Sequence, residues 1–219
     1  MIVRRLGGGL AVVRTKAEHA EALEELQRIV FPTLAPEQRF RAAHYRKHIE
    51  LFPDGQLCVV EEPTARVAGM TSTIRMDFDV AHPDHTFADV IQGGWLTSHD
   101  PDGRWLYGAD IGTHPDYRRR GLARALYAAR HEVVHRFGLA GQVTVGMPSG
   151  YGALKHEMTA EAYYAELLAS ERDDPTISAQ RRVGFELRGL IANYIDDPVC
   201  DGYGIVLVLP AEREVRYPP

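Results

Sequence analysis

Apolar residues along this chain change period several times, and the order of those changes predicts its elements. LAVVRT (10–15) is an apolar run of strand length, and the glycines at 7–9 before it mark a turn. Thr15-Lys16-Ala17-Glu18 has the spacing of a capping box, in which Thr15 and Glu18 satisfy free amides at a helix start. The helix it opens carries Ala20, Leu23, Leu26 and Val30 on one face. A second helix is expected after Pro36, running past Phe40 and Ala43 towards Leu51. Pro53-Asp54-Gly55 is a turn signal that introduces the strand LCVVEE. Residues 66–78 alternate, placing Ala68, Met70, Ser72, Ile74, Met76 and Phe78 on one face of a strand. Residues 81–103, rich in His, Asp and Gly, read mostly as loop.

RWLYGADIGT (104–113) is the next strand. Period two puts Trp105, Tyr107, Ala109, Ile111 and Thr113 on one side and Gly108, Asp110 and Gly112 on the other. A glycine inside a strand suits a bulge or a close backbone approach, and a bulge at Gly112 would break that parity. From about Gly121 to Phe137, Leu122, Ala125, Leu126, Ala129 and Val133 make a helical stripe with Gly138 as its stop. QVTVGMP (142–148) is a strand that leads into the loop SGYGALKH. MTAEAYYAELLAS is helical in pattern, and Asp174-Pro175 caps a further helix that Gly184 ends. FELRGLIANY and YGIVLVLP are two final strands. The order β-α-α-β-β-β-α-β-α-α-β-β is that of a mixed α/β domain, and a single domain over residues 1–219 is expected.

Composition narrows the classes. Of 219 residues 45% are hydrophobic and 25% charged, enough to bury a full core without metals or disulfides. A net charge of -5 argues against a surface that as a whole seeks nucleic acid or anionic membrane. The two cysteines, Cys58 in an apolar strand and Cys200 in a polar turn, resemble neither a disulfide framework nor a metal-ligand pair; one bridge between them is left open. The N-terminal apolar run is too short for a signal peptide, and no segment approaches the roughly 20 apolar residues of a membrane helix. A soluble cytoplasmic protein, with no membrane or nucleic-acid partner, is the expectation. His44 and His48 are spaced by four, but no third ligand is marked and H-E-x-x-H is absent, so no metal is expected.

The chemistry concentrates between residues 111 and 124, where IGTHPDYRRRGLAR joins a strand to a helix. The first-turn amides of a helix have no internal partners and sit at the positive end of its dipole, so they bind phosphate readily. Arg118, Arg119, Arg120 and Arg124 crowd that end, where positive charge is disfavoured. A polyanion in the loop removes the conflict; four arginines extending into water is the plainer alternative. The phosphate-loop and dinucleotide-binding glycine patterns are both absent.

The pattern present, [Q/R]-x-x-G-x-[G/A] filled by Arg118, Gly121 and Ala123 after a strand and HPDY, resembles the acetyl-CoA motif of the GNAT N-acetyltransferases. Gly184-Phe185, opening the penultimate strand, is similar to a pair that family carries. The final third, DPTISAQRRVGF to GYGIVLVLP, further resembles the acetyltransferase half of bacterial proteins that fuse this domain to a carbon–nitrogen hydrolase. The resemblance implies a single-domain acyl-CoA N-acyltransferase fold, with a central mixed, mostly antiparallel sheet flanked by helices. It implies acetyl-CoA as co-substrate, with pyrophosphate on the amides from Arg119 through Gly121, Leu122 and Ala123 to Arg124. The pantetheine arm would pair along Ile111, Gly112 and Thr113 as an added strand does, and an amide near Thr113 would donate to the thioester oxygen.

The acceptor implied is an amine of a small molecule or peptide, attacking directly. Many family members place a tyrosine four residues before Gly-Phe as acid to the departing thiolate; here that position is Gln180. Tyr164, its neighbour Tyr163 and Tyr151 are the candidate substitutes, with core packing as the alternative for each. Asp110 is the candidate base, against a structural carboxylate, and Tyr107 a substrate contact or proton route. Loops 79–103 and 148–158 are expected to line the acceptor cleft, with Asp84, Asp89, Asp100 and Glu157 suited to a cationic amine. A catalytically silent acyl-CoA-binding module docked on a partner enzyme remains the competing reading, and a homodimer is left open. A nucleic-acid-binding reading of the arginine-rich helix conflicts with the net acidic chain.

Overall fold

The computed structural model describes residues 2–215. Among them eight strands form one sheet: β1 (Ile2–Arg5), β2 (Leu10–Arg14), β3 (Leu57–Glu61), β4 (Arg66–Met76), β5 (Trp105–Thr113), β6 (Gly141–Gly146), β7 (Glu186–Ile191) and β8 (Gly204–Pro210). Their order is β1-β2-β3-β4-β5-β6-β8-β7, and all neighbours are antiparallel except β5 and β6. A parallel pair needs a crossover, which α4 (Leu122–Phe137) supplies. The other helices are α1 (Ala20–Val30), α2 (Ala42–Leu51), α3 (Phe87–Ile91), α5 (Ala160–Ala169) and α6 (Ile177–Val183).

The helices cover both faces. Leu23, Leu26, Tyr45, Phe87 and Val90 from α1, α2 and α3 pack on Met70, Ile74 and Tyr107 of the sheet. On the other face Leu122, Ala125, Leu126 and Ala129 of α4 pack on Leu10, Val12, Val59 and Ala68. That layer continues over β8 through α5 and α6, where Tyr163, Leu167 and Ile177 meet Ile205, Leu207 and Leu209. The mixed, mostly antiparallel sheet flanked by helices is the one the family resemblance implies.

Several local expectations give way to tertiary detail. β1 carries almost no buried residue, so it leaves no burial pattern to read; it pairs with β2 across the turn at Gly8 and Gly9. α3 interrupts the stretch read as loop, started by Thr86, whose hydroxyl accepts from the Asp89 amide at 3.1 Å while Asp89 accepts back from the Thr86 amide at 2.8 Å. Thr15 is not a helix cap. It is buried and its amide continues the strand by bonding Gln56 O at 2.9 Å. His19 takes over, its Nδ1 accepting from the Lys16 amide at 3.1 Å within a short 3-10 turn before α1. The one-face alternation of 66–78 breaks at Ala68, because Val59 pairs with Gly69 but Val60 with Val67. Ala68 therefore lies on the α4 face and Met70 on the other.

Asp174 does cap α6, and does more. Its Oδ1 accepts from the amides of Thr176 at 2.8 Å and Ile177 at 2.9 Å, and its Oδ2 from the Gly150 amide and the Tyr163 hydroxyl, both at 2.8 Å. One buried carboxylate thus ties α6, α5 and the loop after β6 together. Asp174→Ala should cost about 2 kcal/mol or more in urea denaturation, since several buried donors lose their acceptor at once.

Candidate active site

A bulge at Ala109 decides where the side chains of β5 point. Ser72 pairs with Asp110 and Thr73 with Gly108, which leaves Ala109 as the extra residue. Tyr107 before the bulge and Asp110 after it consequently share the α1–α2 face, while Ile111 packs towards α4. The expected bulge at Gly112 is thus displaced to Ala109. Gly112 serves close approach instead: a Cβ there would lie 2.9 Å from Val30 Cγ1 and 3.1 Å from Met70 Cε.

The bulge leaves carbonyls off the ladder, and side chains satisfy them. Gly108 O accepts from Thr144 Oγ1 at 3.0 Å, and Asp110 O from Thr71 Oγ1 at 2.7 Å and from the Arg130 guanidinium. Arg130 reaches in from α4, is 2% exposed, and lies against Gly108, where any Cβ would overlap it.

β5 and β6 pair only from Trp105–Gly141 to Gly108–Thr144. Beyond that point β5 pairs with β4 alone, so its outer edge from residue 109 to 113 is free. A cavity of about 600 Å³ fills the gap. Gln27, Phe31, Phe40 and Asp110 line it on the α1–α2 face, and Ile111, Ala123, Tyr127 and Gln180 on the α4 face. It therefore threads the sheet from one side to the other.

The loop before α4 closes the α4 mouth of this cavity. Gly121 precedes the helix at φ +77° and Arg119 lies at φ +61°, left-handed conformations of which glycine adopts the first without strain. The first turn holds no acidic residue and no side-chain cap. Among the described residues, no backbone carbonyl accepts from the amides of residues 119–124. None of Arg118, Arg119, Arg120 and Arg124 forms an ion pair among the described residues; Arg120 stacks over the Tyr117 ring at 5.2 Å. Arg118 and Ala123 line the cavity, as do Ile111, Gly112 and Thr113. Leu122 is buried in the core, which leaves its amide as its only group for a ligand.

The model of the acetyltransferase (GNAT) family matches residues 20–149. The chain belongs to that family. YkwB, an uncharacterized N-acetyltransferase of Bacillus subtilis (strain 168), is 28% identical over 188 residues, 85% of this chain and 82% of YkwB. YhcX, a probable hydrolase of the same organism, is 34% identical over 173 residues, 79% of this chain but 33% of YhcX. The chain spans about a third of the length of that relative. Among solved structures, a GNAT-like decarboxylase, GphF, in complex with isobutyryl-CoA matches with a TM-score of 0.74 at 19% identity, covering 92% of this chain and 99% of that one.

Within the GNAT frame the titratable groups divide by face. On the α1–α2 side Asp110 accepts from Gln27 Nε2 at 2.7 Å, from Tyr45 at 3.3 Å and from the Ser72 amide. Burial pushes its carboxyl up to about 6, against the opposing pull of the Ser72 amide and Arg130. On the α4 side Tyr127, which the stripe reading of that helix passes over, accepts from Gln180 Nε2 at 2.9 Å. Burial raises its phenol, so it is protonated at neutral pH.

Other sequence candidates lie elsewhere. Tyr107 is fully buried behind Tyr194 rather than on the cavity wall, and bonds Tyr194 at 3.0 Å and His85 Nε2 at 2.7 Å. Because His85 Nδ1 faces the Pro83 carbonyl at 2.7 Å it carries the ring proton, so Tyr107 donates to Nε2. Tyr164 is half-buried against the α5–β8 core and does not reach the cavity lining. Tyr163 donates to Asp174, and Tyr151 is buried within the same core. Asp84, Asp89, Asp100 and Glu157 are also away from the cavity; of their two loops Phe87 and Ser149 reach its lining, and most of the α1–α2 wall comes from residues 27–40 and 194–199. No local signal marks the segment after α1 as a wall; the sheet gap places it there.

His44 and His48 are buried, His44 accepting from the Arg41 amide at 3.2 Å and His48 bonded to Gly94 O at 2.7 Å. Among the described residues no group of three or more His, Cys, Asp and Glu is placed to hold a metal, and no helix is long and apolar enough to cross a membrane.

Proposed function

We propose that this GNAT chain transfers an acetyl group from acetyl-CoA to an amine by direct attack. The observation that carries the reading is the cavity through the β5–β6 gap, with unpaired helix amides at one mouth and an ionisable carboxylate facing the other. Acetyl-CoA enters on the α4 side. Its pyrophosphate rests on the amides of Arg119, Arg120, Gly121, Leu122, Ala123 and Arg124, with arginine side chains free to pair with phosphates. Its pantetheine arm runs along the open edge of Ile111, Gly112 and Thr113. The thioester then lies in the gap, where a β5 amide beyond the bulge can donate to the oxygen that becomes negative during attack.

The acceptor comes from the α1–α2 side. Its walls are apolar, with Val30, Phe31, Leu34, Phe40, Phe87 and Ile195 among them. Asp197, also on this side, is committed to Thr33 at 3.0 Å and to the Val199 amide at 2.9 Å. Asp110, whose burial raises its affinity for a proton, is the carboxylate assigned to take one from the amine, and a small molecule with one amine on an apolar body fits these walls better than a polycation. Asp110 receives the proton as the nitrogen attacks.

Saturating acetyl-CoA should raise the melting temperature by mass action, and an apolar primary amine should then release free thiol. No shift with acetyl-CoA would overturn the reading. Gly121→Val, which forces a branched residue to φ +77°, should weaken CoA affinity about tenfold or more by isothermal titration. The longer relative that is a probable hydrolase, of which the match covers 33%, favours one second reading, a silent acyl-CoA-binding module docked on a partner. A CoA shift without thiol release across an amine panel is its signature.

A further inference from the structure

The position where many family members keep the thiolate's acid holds Gln180, and Gln180 is bonded to a tyrosine. We propose that Tyr127 is the catalytic acid of this enzyme and that Gln180 is its positioning residue. This rests on the acyl-transfer reading above and concerns its last proton.

Four observations converge on the Tyr127 hydroxyl. It lies one helical turn beyond Ala123, and both residues line the cavity from α4. Its oxygen accepts the Gln180 amide proton at 2.9 Å, while its own proton meets no acceptor among the described residues. Arg130 Cζ stands 5.2 Å from its ring centroid and Phe185, of the Gly-Phe pair, 5.0 Å on an edge, so the ring is fixed. Gln180 Oε1 is buried without a partner among the described residues and lies against Gly146, where a Cβ would overlap it and would come within 2.7 Å of Ile177 Cδ1. That places Gln180 at the β6 edge of the gap, the region the thioester must occupy. A donor held from behind by an amide, with its proton free to point into the gap, is the arrangement an acid needs.

The proton balance closes. As the amine nitrogen bonds the carbonyl carbon, its proton passes to Asp110. The carbon–sulfur bond breaks with its electron pair on sulfur, and Tyr127 donates its proton there, giving free thiol. The phenolate left behind is stabilised by the Gln180 amide and the Arg130 guanidinium until solvent returns the proton that Asp110 releases. Nothing is oxidised or reduced, and no co-reactant is needed.

Tyr127→Phe should keep CoA affinity within threefold, by roughly the standard of a lost single contact, and lower kcat about 10²-fold with acetyl-CoA. With an aryl thioester of acetate, whose acidic thiol leaves unaided, the same variant should lose far less relative to wild type. Restoring the family's arrangement in Tyr127→Phe/Gln180→Tyr should regain part of the rate. Gln180→Leu should lower kcat more than it changes KM. A separate titration needs no amine: the thiolate absorbance of bound CoA should show a lower thiol pKa in wild type than in Tyr127→Phe, because the hydroxyl donates to the thiolate. That titration separates the proposal from the transfer reading, since it succeeds or fails even if no amine is acetylated. Equal thiol pKa values in the two proteins, or an equal loss of rate with acetyl-CoA and the aryl thioester, would overturn the role of Tyr127.

Discussion

Asp110→Asn is expected to lower kcat about 10²-fold or more while leaving the protein at least as stable as wild type at pH 7. The two effects come from one cause. Burial raises the Asp110 carboxyl from its ordinary 3.8 to about 6, so the folded state holds its proton more tightly than the unfolded chain. A raised carboxylate contributes stability below its unfolded value and loses it as pH climbs through the folded one. At pH 7 the group is ionised at a cost of about 3 kcal/mol in folding free energy, by the difference between the two values. Asparagine removes that cost and keeps an oxygen for the Ser72 amide, while a turn of the Gln27 side-chain amide, whose nitrogen now donates to Asp110 at 2.7 Å, gives the new amino group an acceptor. The stability advantage of the variant should therefore grow between pH 4 and pH 7, as measured by urea denaturation. Activity runs the other way. Wild-type kcat/KM should rise through pH 6 as the base ionises, and the variant should lack that limb. A variant that is less stable at pH 7 yet keeps its kcat would reduce Asp110 to a packing carboxylate.

The second large effect lies one bulge away. Gly108→Ala should destabilise the protein by about 3 kcal/mol, near the upper end for an overpacked core. The new methyl would overlap the Arg130 guanidinium, with Cζ only 2.8 Å away. Arg130 has nowhere to retreat, since it is 2% exposed and holds the Asp110 carbonyl and the Thr71 hydroxyl. Arg130→Ala alone opens a void and frees those acceptors, so it too should be destabilising. Combined with Gly108→Ala, however, the methyl gains room, and the double variant should be more stable than the sum of single losses by at least about 1 kcal/mol. Strict additivity would mean that the two residues do not share the space beneath the bulge.

The elements of this fold are legible in the sequence because each long one carries its period. α4 shows its Leu122–Val133 stripe, and the loop before it shows its glycine between arginines. What escapes is governed by contacts distant in the chain. The bulges at Ala68 and Ala109 are set by register with neighbouring strands, and the one at Ala109 decides which face Asp110 joins. His19 replaces Glu18 in the cap because Thr15 is needed in the strand. Tyr127 reads as an ordinary helix residue between Leu126 and Ala128; only the fold brings it to Gln180, 53 positions away. The departure at Gln180 is visible in the sequence, but its partner is not.

The cavity that passes through the sheet has a kinetic consequence under the proposed function. Donor and acceptor approach from opposite faces, so neither has to leave before the other can bind. Rates should then follow a ternary-complex law, with intersecting double-reciprocal lines instead of parallel ones. A molecule joining CoA sulfur to an apolar amine through a short bridge would occupy both mouths at once. Tethering makes its second contact intramolecular, so it should bind far more tightly than either half alone.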